Sequence, residues 1–237
     1  MPENLRNKTT MRDKFKNINR YLVNQSVNEF SNEINDGENI LDVGAGSGHY
    51  RCLFKNKQYV AIDMGLEQST IQGLDVVGDI CFLPFKNSSF KNVICIEVLE
   101  HVWDSKKLLQ ELNRVLENGG KLLLTVPLCF GEHMQPYDFY RYTSFSLVKL
   151  LEMNGFKLME ITPRGGYYTL LGYLTANLPD QMYKVDGVLP ILRKILKIFL
   201  RIAFTYILAP VLISMDRFDK KKHFTLGYIC KVQKVFS

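Results

Sequence analysis

Short apolar runs alternate with polar loops through residues 38–162. ILDV at 40–43, YVAI at 59–62, VICI at 93–96 and LLLTV at 122–126 are each four or five residues long. Continuous apolar runs of that length suit strands buried on both faces of a parallel sheet. VV at 76–77 reads as a further short strand, FKLMEIT at 156–162 as a sixth and TLGYICKVQKV at 225–235 as a seventh. Elsewhere the period lengthens. Phe15, Ile18, Tyr21, Leu22, Val27 and Phe30 sit near helical spacing within 8–34. Phe145, Leu147, Val148, Leu150, Leu151 and Met153 do the same after a capping Thr143 or Ser144, and Asn154-Gly155 stops that helix. The pattern predicts an α/β fold: a seven-stranded, mostly parallel sheet with helices on both faces.

About sixty residues, 163–224, separate the sixth strand from the seventh where a short turn would suffice. The chain is therefore predicted as one domain, 1–237, carrying a hydrophobic, basic helical insertion that acts as a lid or a membrane-surface contact. Within it, Arg193, Lys197 and Arg201 recur every four residues, with Lys194 beside them, opposite Ile191, Leu192, Ile195, Leu196, Ile198, Phe199, Leu200 and Ile202. A basic amphipathic helix of this kind lies in the membrane interface. The uncharged stretch 202–215 has only fourteen residues and contains Pro210, too short to span. Residues 189–222, with Lys220, Lys221 and Lys222, are thus expected to meet an anionic membrane surface. The alternative is a helix that covers the sheet edge or a second copy.

Composition changes this picture in one respect. The net charge is +6, yet residues 184–237 carry +8 and the rest −2. A near-neutral body disfavours a nucleic-acid groove and places the basic surface on the tail. The five cysteines (Cys52, Cys81, Cys95, Cys129, Cys230) form no CxxC pair, and residues 1–20 contain no apolar signal core. The expected location is cytoplasmic, peripheral on the inner face of the membrane.

The candidate chemistry starts at the first strand. It runs into Gly44-Ala45-Gly46-Ser47-Gly48 with Asp42 two residues ahead, and a helix after such a loop would point its amino terminus at a bound anion. A dinucleotide fingerprint would need glycine at position 49, which is His49. The second strand ends on Asp63, placed for a ribose; Asp79-Ile80 follows the third, and the fourth leads into Glu97-Val98-Leu99-Glu100-His101. Gly119-Gly120 reads as a turn into the fifth strand. In this order and spacing, residues 38–162 resemble the class I S-adenosylmethionine (SAM)-dependent methyltransferases, in particular the small-molecule and quinone-type branch. The resemblance implies a Rossmann-like sheet with SAM as cofactor. Asp42, Gly44, Ala45, Gly46 and Gly48 would hold its methionine portion, with Glu97 nearby, Asp63 and Met64 its ribose, and Asp79 and Ile80 its adenine.

Two clusters compete for the acceptor. The first is residues 131–143, GEHMQPYDFYRYT, similar to a methyltransferase group linked to cell-surface glycan or lipid pathways. There His133 is expected as general base oriented by Asp138, Arg141 as the clamp for an acceptor carboxylate or phosphate, and Tyr137 and Tyr140 as an aromatic wall. An Asp138–Arg141 structural pair is the alternative. The second is E-x-x-E-H at 97–101. Its two carboxylates and imidazole suit a hard or borderline cation, which His133 could complete, but the same residues shape metal-free pockets. The reading carries no metal and counts His101, which shapes the pocket, among the catalytic candidates with His133, Asp138 and Arg141. The expected reaction is methyl transfer to an oxygen of a small or lipid-linked acceptor, of glycan or quinone type. A non-catalytic SAM-binding protein at a membrane and an RNA methyltransferase are the rivals.

Overall fold

The computed structural model describes Phe15 and residues 17–65, 71–182 and 190–236. Of the expected first helical region, residues 8–14 lie outside the described residues. In chain order the elements are α1 (Ile18–Asn32), β1 (Asn39–Val43), β2 (Gln58–Asp63), β3 (Val76–Val77), β4 (Phe90–Ile96), α2 (Ser105–Val115) and β5 (Leu116–Pro127). After them come α3 (Ser144–Met153), β6 (Phe156–Pro163), α4 (Tyr167–Met182), α5 (Pro190–Arg201), a π-helical stretch Ile202–Leu208, α6 (Ala209–Met215) and β7 (Gly227–Lys234).

The strands make one sheet in the order β3-β2-β1-β4-β5-β7-β6. β1 pairs in parallel with β2 and β4, and β4 with β5; β7 runs antiparallel to β5. The order reverses between β1 and β4, so the carboxyl ends of these strands flank the crevice where ligands bind in open α/β sheets. Leu41, Val43, Val93, Cys95, Leu122, Leu124 and Val126 point to one face and join Leu108, Leu109, Leu112 and Val115 of α2 and Leu147 and Leu151 of α3 in a buried cluster. Strand alternation sends Ile40, Asp42, Ile94, Leu123 and Thr125 the other way, and they are buried too.

Three local expectations change. The helix expected after the glycine loop is one 3₁₀ turn, Arg51–Leu53, because only fourteen residues separate β1 from β2 and a full helix does not fit. Gly119-Gly120 is a kink within β5 rather than a turn before it: Phe90 pairs with Leu116 and Asn92 with Lys121, so the glycines absorb the shift in register. In α3, capped by the Thr143 side chain, Phe145 (86% exposed) and Met153 face outward, leaving Leu147 and Leu151 as its buried residues.

The described residues divide into two compact units: residues 25–65, 71–162 and 227–236, which hold the sheet, and a helical unit of residues 17–24, 163–182 and 190–226. In the helical unit α4 and α6 approach closely at small residues: a Cβ on Gly172 would lie 2.7 Å from Ile213 and 3.1 Å from the Ala209 carbonyl. Thr205 donates a buried hydrogen bond to the Ala176 carbonyl (2.8 Å). The π-helical turns end just before Pro210, which lacks an N–H and crowds the carbonyl four residues back; wider turns relieve that conflict. The helical run is longer than the expected fourteen uncharged residues. Ile198–Phe218 is long and apolar enough to cross a membrane by length and composition; its apolar eighteen-residue window has mean hydropathy 2.0 and is 11% buried.

Candidate active site

Backbone geometry explains the glycines at the end of β1. Gly44, Gly46 and Gly48 all have positive φ (75°, 55° and 68°), which side chains with a Cβ rarely adopt. A Cβ on Gly44 would lie 2.3 Å from Val98, so β1 and the segment after β4 touch there. One on Gly48 would lie 2.6 Å from the Gly73 carbonyl, whereas at Gly46 nothing among the described residues lies within 4 Å. The loop is thus braced at both ends and open in the middle. Gly73, which sequence reasoning missed, forms the back of this cradle: a Cβ there would sit 2.0 Å from the Ser47 carbonyl. Its signal is weak, a lone glycine outside the glycine-loop motif.

Asp63 ties the loop to β2. One carboxylate oxygen accepts from the Gly46 N–H and the other from the Gly65 N–H, both at 3.0 Å. Asp42 lies beneath the loop, fully buried, with its carboxylate bonded by the Tyr59 hydroxyl. Burial pushes its pKa up to about 7, against the lowering effect of the Tyr59 bond. Ala45 is buried and its N–H, like that of Gly44, donates to the Ile62 carbonyl. Met64 is exposed next to Asp63. Asp79 is exposed and accepts from the Cys81 N–H (2.8 Å), while the Ile80 side chain belongs to the buried core. Glu97 occupies a left-handed turn (φ 55°) just past β4, and its carboxylate accepts from the Thr125 hydroxyl at 3.0 Å.

The acceptor candidates converge, although they lie on segments over thirty residues apart. The 3₁₀ turn Leu99–His101 and the loop after β5 bring His101 Nε2 to 3.1 Å from His133 Nε2. Two backbone bonds, from the N–H groups of Phe139 and Tyr140 to the Glu100 carbonyl, hold the loop on the turn. Glu100 is completely buried, with Oε1 3.7 Å from His101 Nε2 and 4.0 Å from His133 Nε2. Burial lowers the pKa of His101. Asp138 accepts from the backbone N–H of His133 (2.9 Å) and lies 3.3 Å from its Nδ1. The expected anion contact of Arg141 gives way to a two-pronged pair with Asp138 (2.6 and 2.7 Å), backed by the Phe130 carbonyl. That pair holds the Asp138 carboxyl well below its usual range. Around the cluster, Trp103 (72% exposed) stacks on Tyr140, with Phe139 edge-on.

A mostly parallel sheet with this loop at the end of β1 and acidic residues at the tips of β2 and β4 is the arrangement of the class I SAM-dependent methyltransferase fold. Residues 41–124 match the methyltransferase domain family, and that match supports SAM as the cofactor. An uncharacterised protein of Methanocaldococcus jannaschii is 33% identical over 127 residues, covering 51% of this chain and 55% of the relative. The ubiquinone/menaquinone biosynthesis C-methyltransferase of Haemophilus ducreyi is 29% identical over 129 residues (46% and 49%). The chain thus spans about half the length of these curated relatives. Among solved structures, phosphoethanolamine N-methyltransferase 2 of Haemonchus contortus in complex with SAM shares the fold, with TM-score 0.54 and 15% identity over 90% of this chain and 52% of that one.

The described residues fit SAM. The open face at Gly46 leaves room against the backbone, and the Asp63 carboxylate retains lone pairs for ribose hydroxyls beyond its two backbone bonds.

Proposed function

We propose that the chain methylates an oxygen of a small or lipid-linked acceptor, of glycan or quinone type, at a membrane surface. When bound, SAM supplies a methyl group already activated on a sulfonium. Gly44, Gly46 and Gly48, with Ala45 and Glu97, hold its methionine portion; Asp63 and Met64 hold the ribose; Asp79 and the Ile80 backbone hold the adenine. Asp42 acts from below, fixing the end of β1 through Tyr59. Because the donor is activated, the residues left over need only align the acceptor and help remove its proton.

One observation carries the reading: His101, His133 and Asp138 are gathered directly after Val98, the residue against which Gly44 packs. His133, the more exposed of the two imidazoles, accepts the proton of the acceptor hydroxyl as the methyl group is transferred. Arg141 serves by locking Asp138, which positions His133. Trp103, Phe139 and Tyr140 offer an apolar rim that suits an aromatic or isoprenoid acceptor better than a strongly charged one.

The membrane part draws on the helical unit. Ile195, Ile198, Phe199, Ile202, Ile207 and Val211 are exposed on one helical run, far more apolar surface than an ordinary solvated helix carries. The side chains of Arg193, Lys194 and Lys197, expected to face lipid head groups, lie outside the described residues. Arg201 is drawn inward by Asp180 (2.7 Å) and is removed from the proposed lipid-facing charges.

The test is incubation of the purified chain with methyl-labelled SAM and fractionated membrane and soluble extracts, read by mass spectrometry. A labelled, lipid-soluble methyl ether, stable to base, is expected. SAM binding without a labelled product in either fraction would sink the acceptor reading.

A further inference from the structure

The helical unit turns its large apolar side chains outward. Among its described side chains from Arg164 to Phe224, no Leu, Ile, Val, Met, Phe or Tyr is buried. The buried positions of α4 are Thr169, Gly172, Ala176 and Pro179, and those of the run packed against it are Thr205, Ala209 and Asp216. A helix pair selected by water would place its leucines and isoleucines between the helices. Here the pair closes through small residues and the Thr205 bond to the Ala176 carbonyl, while Leu174, Leu178, Ile202, Ile207 and Val211 face away. Helices pair in that way inside a bilayer, where apolar side chains gain nothing by leaving the lipid and backbones approach at small residues.

The described charged groups sit at the two ends of the pair. At one end Asp216 accepts from the N–H groups of Gly166 and Thr169 (both 2.9 Å), and Asp219 from that of Tyr167 (2.7 Å). The orphan donors at the start of α4 are thus satisfied within the protein, as lipid requires. Lys220, Lys221 and Lys222 lie beside exposed Phe218 and the edge-on pair Tyr167–Phe224, a basic and aromatic collar of the kind found at head groups. At the other end Arg201 is neutralised by Asp180, the paired form in which a cation is tolerated at membrane depth. Between the ends, Asn177 and Ser214 donate to carbonyls of their own helices, Tyr173 (2.8 Å) and Val211 (2.7 Å).

We propose that α4 and the run from α5 through α6 form a hairpin that stands upright in the hydrocarbon of a lipid bilayer, in place of a helix lying flat in its interface. At 1.5 Å per residue Asp216 and Lys197 are about 28 Å apart along the run, close to the roughly 30 Å of hydrocarbon. Phe199 and Ile202 then come toward the far head groups, and Ile207 near the midplane. A second copy would cover one stripe only. Successive residues turn by about 100°, so exposed Tyr206, Ile207 and Leu208 already face about half of the circumference. Lipid covers all of it. The inference rests on the membrane part of the proposed function and sets the depth of that contact.

The test carries the full chain from detergent into vesicles of phosphatidylcholine and phosphatidylglycerol as Ile207→Trp, with the quenching of Trp103 in the unaltered chain subtracted. Bromine atoms are placed either near the head groups or near the ends of the acyl chains. Quenching by the deep bromines should exceed that by the shallow ones at least twofold, because an interfacial helix reaches only about 5–10 Å into the boundary. Alkaline carbonate should leave the unaltered chain in the vesicle pellet, and detergent should release it. Stronger quenching by the shallow bromines overturns the upright hairpin and leaves the surface reading standing. No association with vesicles removes the membrane part of the proposed function, and the hairpin with it. SAM binding on the same preparations keeps the methyltransferase reading separate. If Ile207→Trp does not bind SAM, carbonate extraction of the unaltered chain decides: retention supports insertion and release overturns it.

Discussion

The sheet-bearing unit and the helical unit are both rich in apolar side chains, and they dispose of them in opposite ways. In the first, Leu108, Leu109, Leu112, Leu122 and Leu124 have no accessible surface. In the second, Phe199 is 66% exposed and Ile198, Ile202, Ile207 and Val211 are also largely uncovered. The first pattern is what water selects for a folding core. The second is not stabilised by water at all, so those residues call for some other surface to meet.

The sharpest way to break this contrast is a matched pair of truncations. Leu112→Ala removes buried carbons from the core cluster and should cost about 3 kcal/mol, counting both transfer and cavity. Phe199→Ala deletes a larger side chain yet should change stability in water by less than about 0.5 kcal/mol. Urea denaturation of both variants checks it. Equal losses would mean that the helical face is covered in solution, for instance by a second copy.

Next in size is the buried acid of the sheet unit. Asp42 has a native pKa of about 7 and an ordinary carboxyl pKa when unfolded, so the folded chain binds this proton more tightly. Its contribution is therefore complete at low pH and fades as pH rises through 7, by on the order of 2 kcal/mol between pH 5 and 8. Asp42→Asn keeps an acceptor for Tyr59 and should flatten that slope. A variant with an unchanged slope would show that another group titrates.

A smaller effect is expected on membrane partitioning. Phe199→Ser combined with Ile202→Ser should lower binding to anionic vesicles about tenfold while leaving the melting temperature nearly unchanged, since partial burial of each side chain in the interface is worth about 0.7 kcal/mol. Sedimentation with vesicles, repeated at high salt, separates the apolar share from the charged one. No change in partitioning would remove this face from the membrane.

How much of this was legible beforehand differs between the two units for the same reason. Within the sheet, local pattern and tertiary fate agree: the apolar runs at 40–43, 59–62, 93–96 and 122–126 became β1, β2, β4 and β5, and the glycines at 44, 46 and 48 took the positive φ angles only they tolerate. The sites that escaped depend on approaches between segments remote in sequence. No local spacing brings His133 to His101, turns Asp42 toward Tyr59 or backs Ser47 with Gly73. The turn in place of a first crossover helix was countable, since fourteen residues cannot hold a full one, but the motif's usual continuation outweighed the count. In the helical unit, charge periodicity suggested a basic stripe that included Arg201, and only the position of Asp180 shows that this cation turns inward.

The smallest expected effect tests whether charge matters as much where it stays wet. Glu38, beside the start of β1, is bonded by Lys91, Asn35 and Asn92, which together hold its carboxyl at about 2. Because the native pKa is depressed, the stabilisation is present above the unfolded carboxyl range and is lost as pH falls toward 2, the reverse of Asp42. Lys91 is half exposed, so screening reduces the gain to about 0.5 kcal/mol. Glu38→Gln should therefore lower the denaturation midpoint slightly at pH 7, and less in concentrated salt. A loss as large as that of Leu112→Ala would mean that the edge of the sheet, rather than its buried face, limits the stability of this unit.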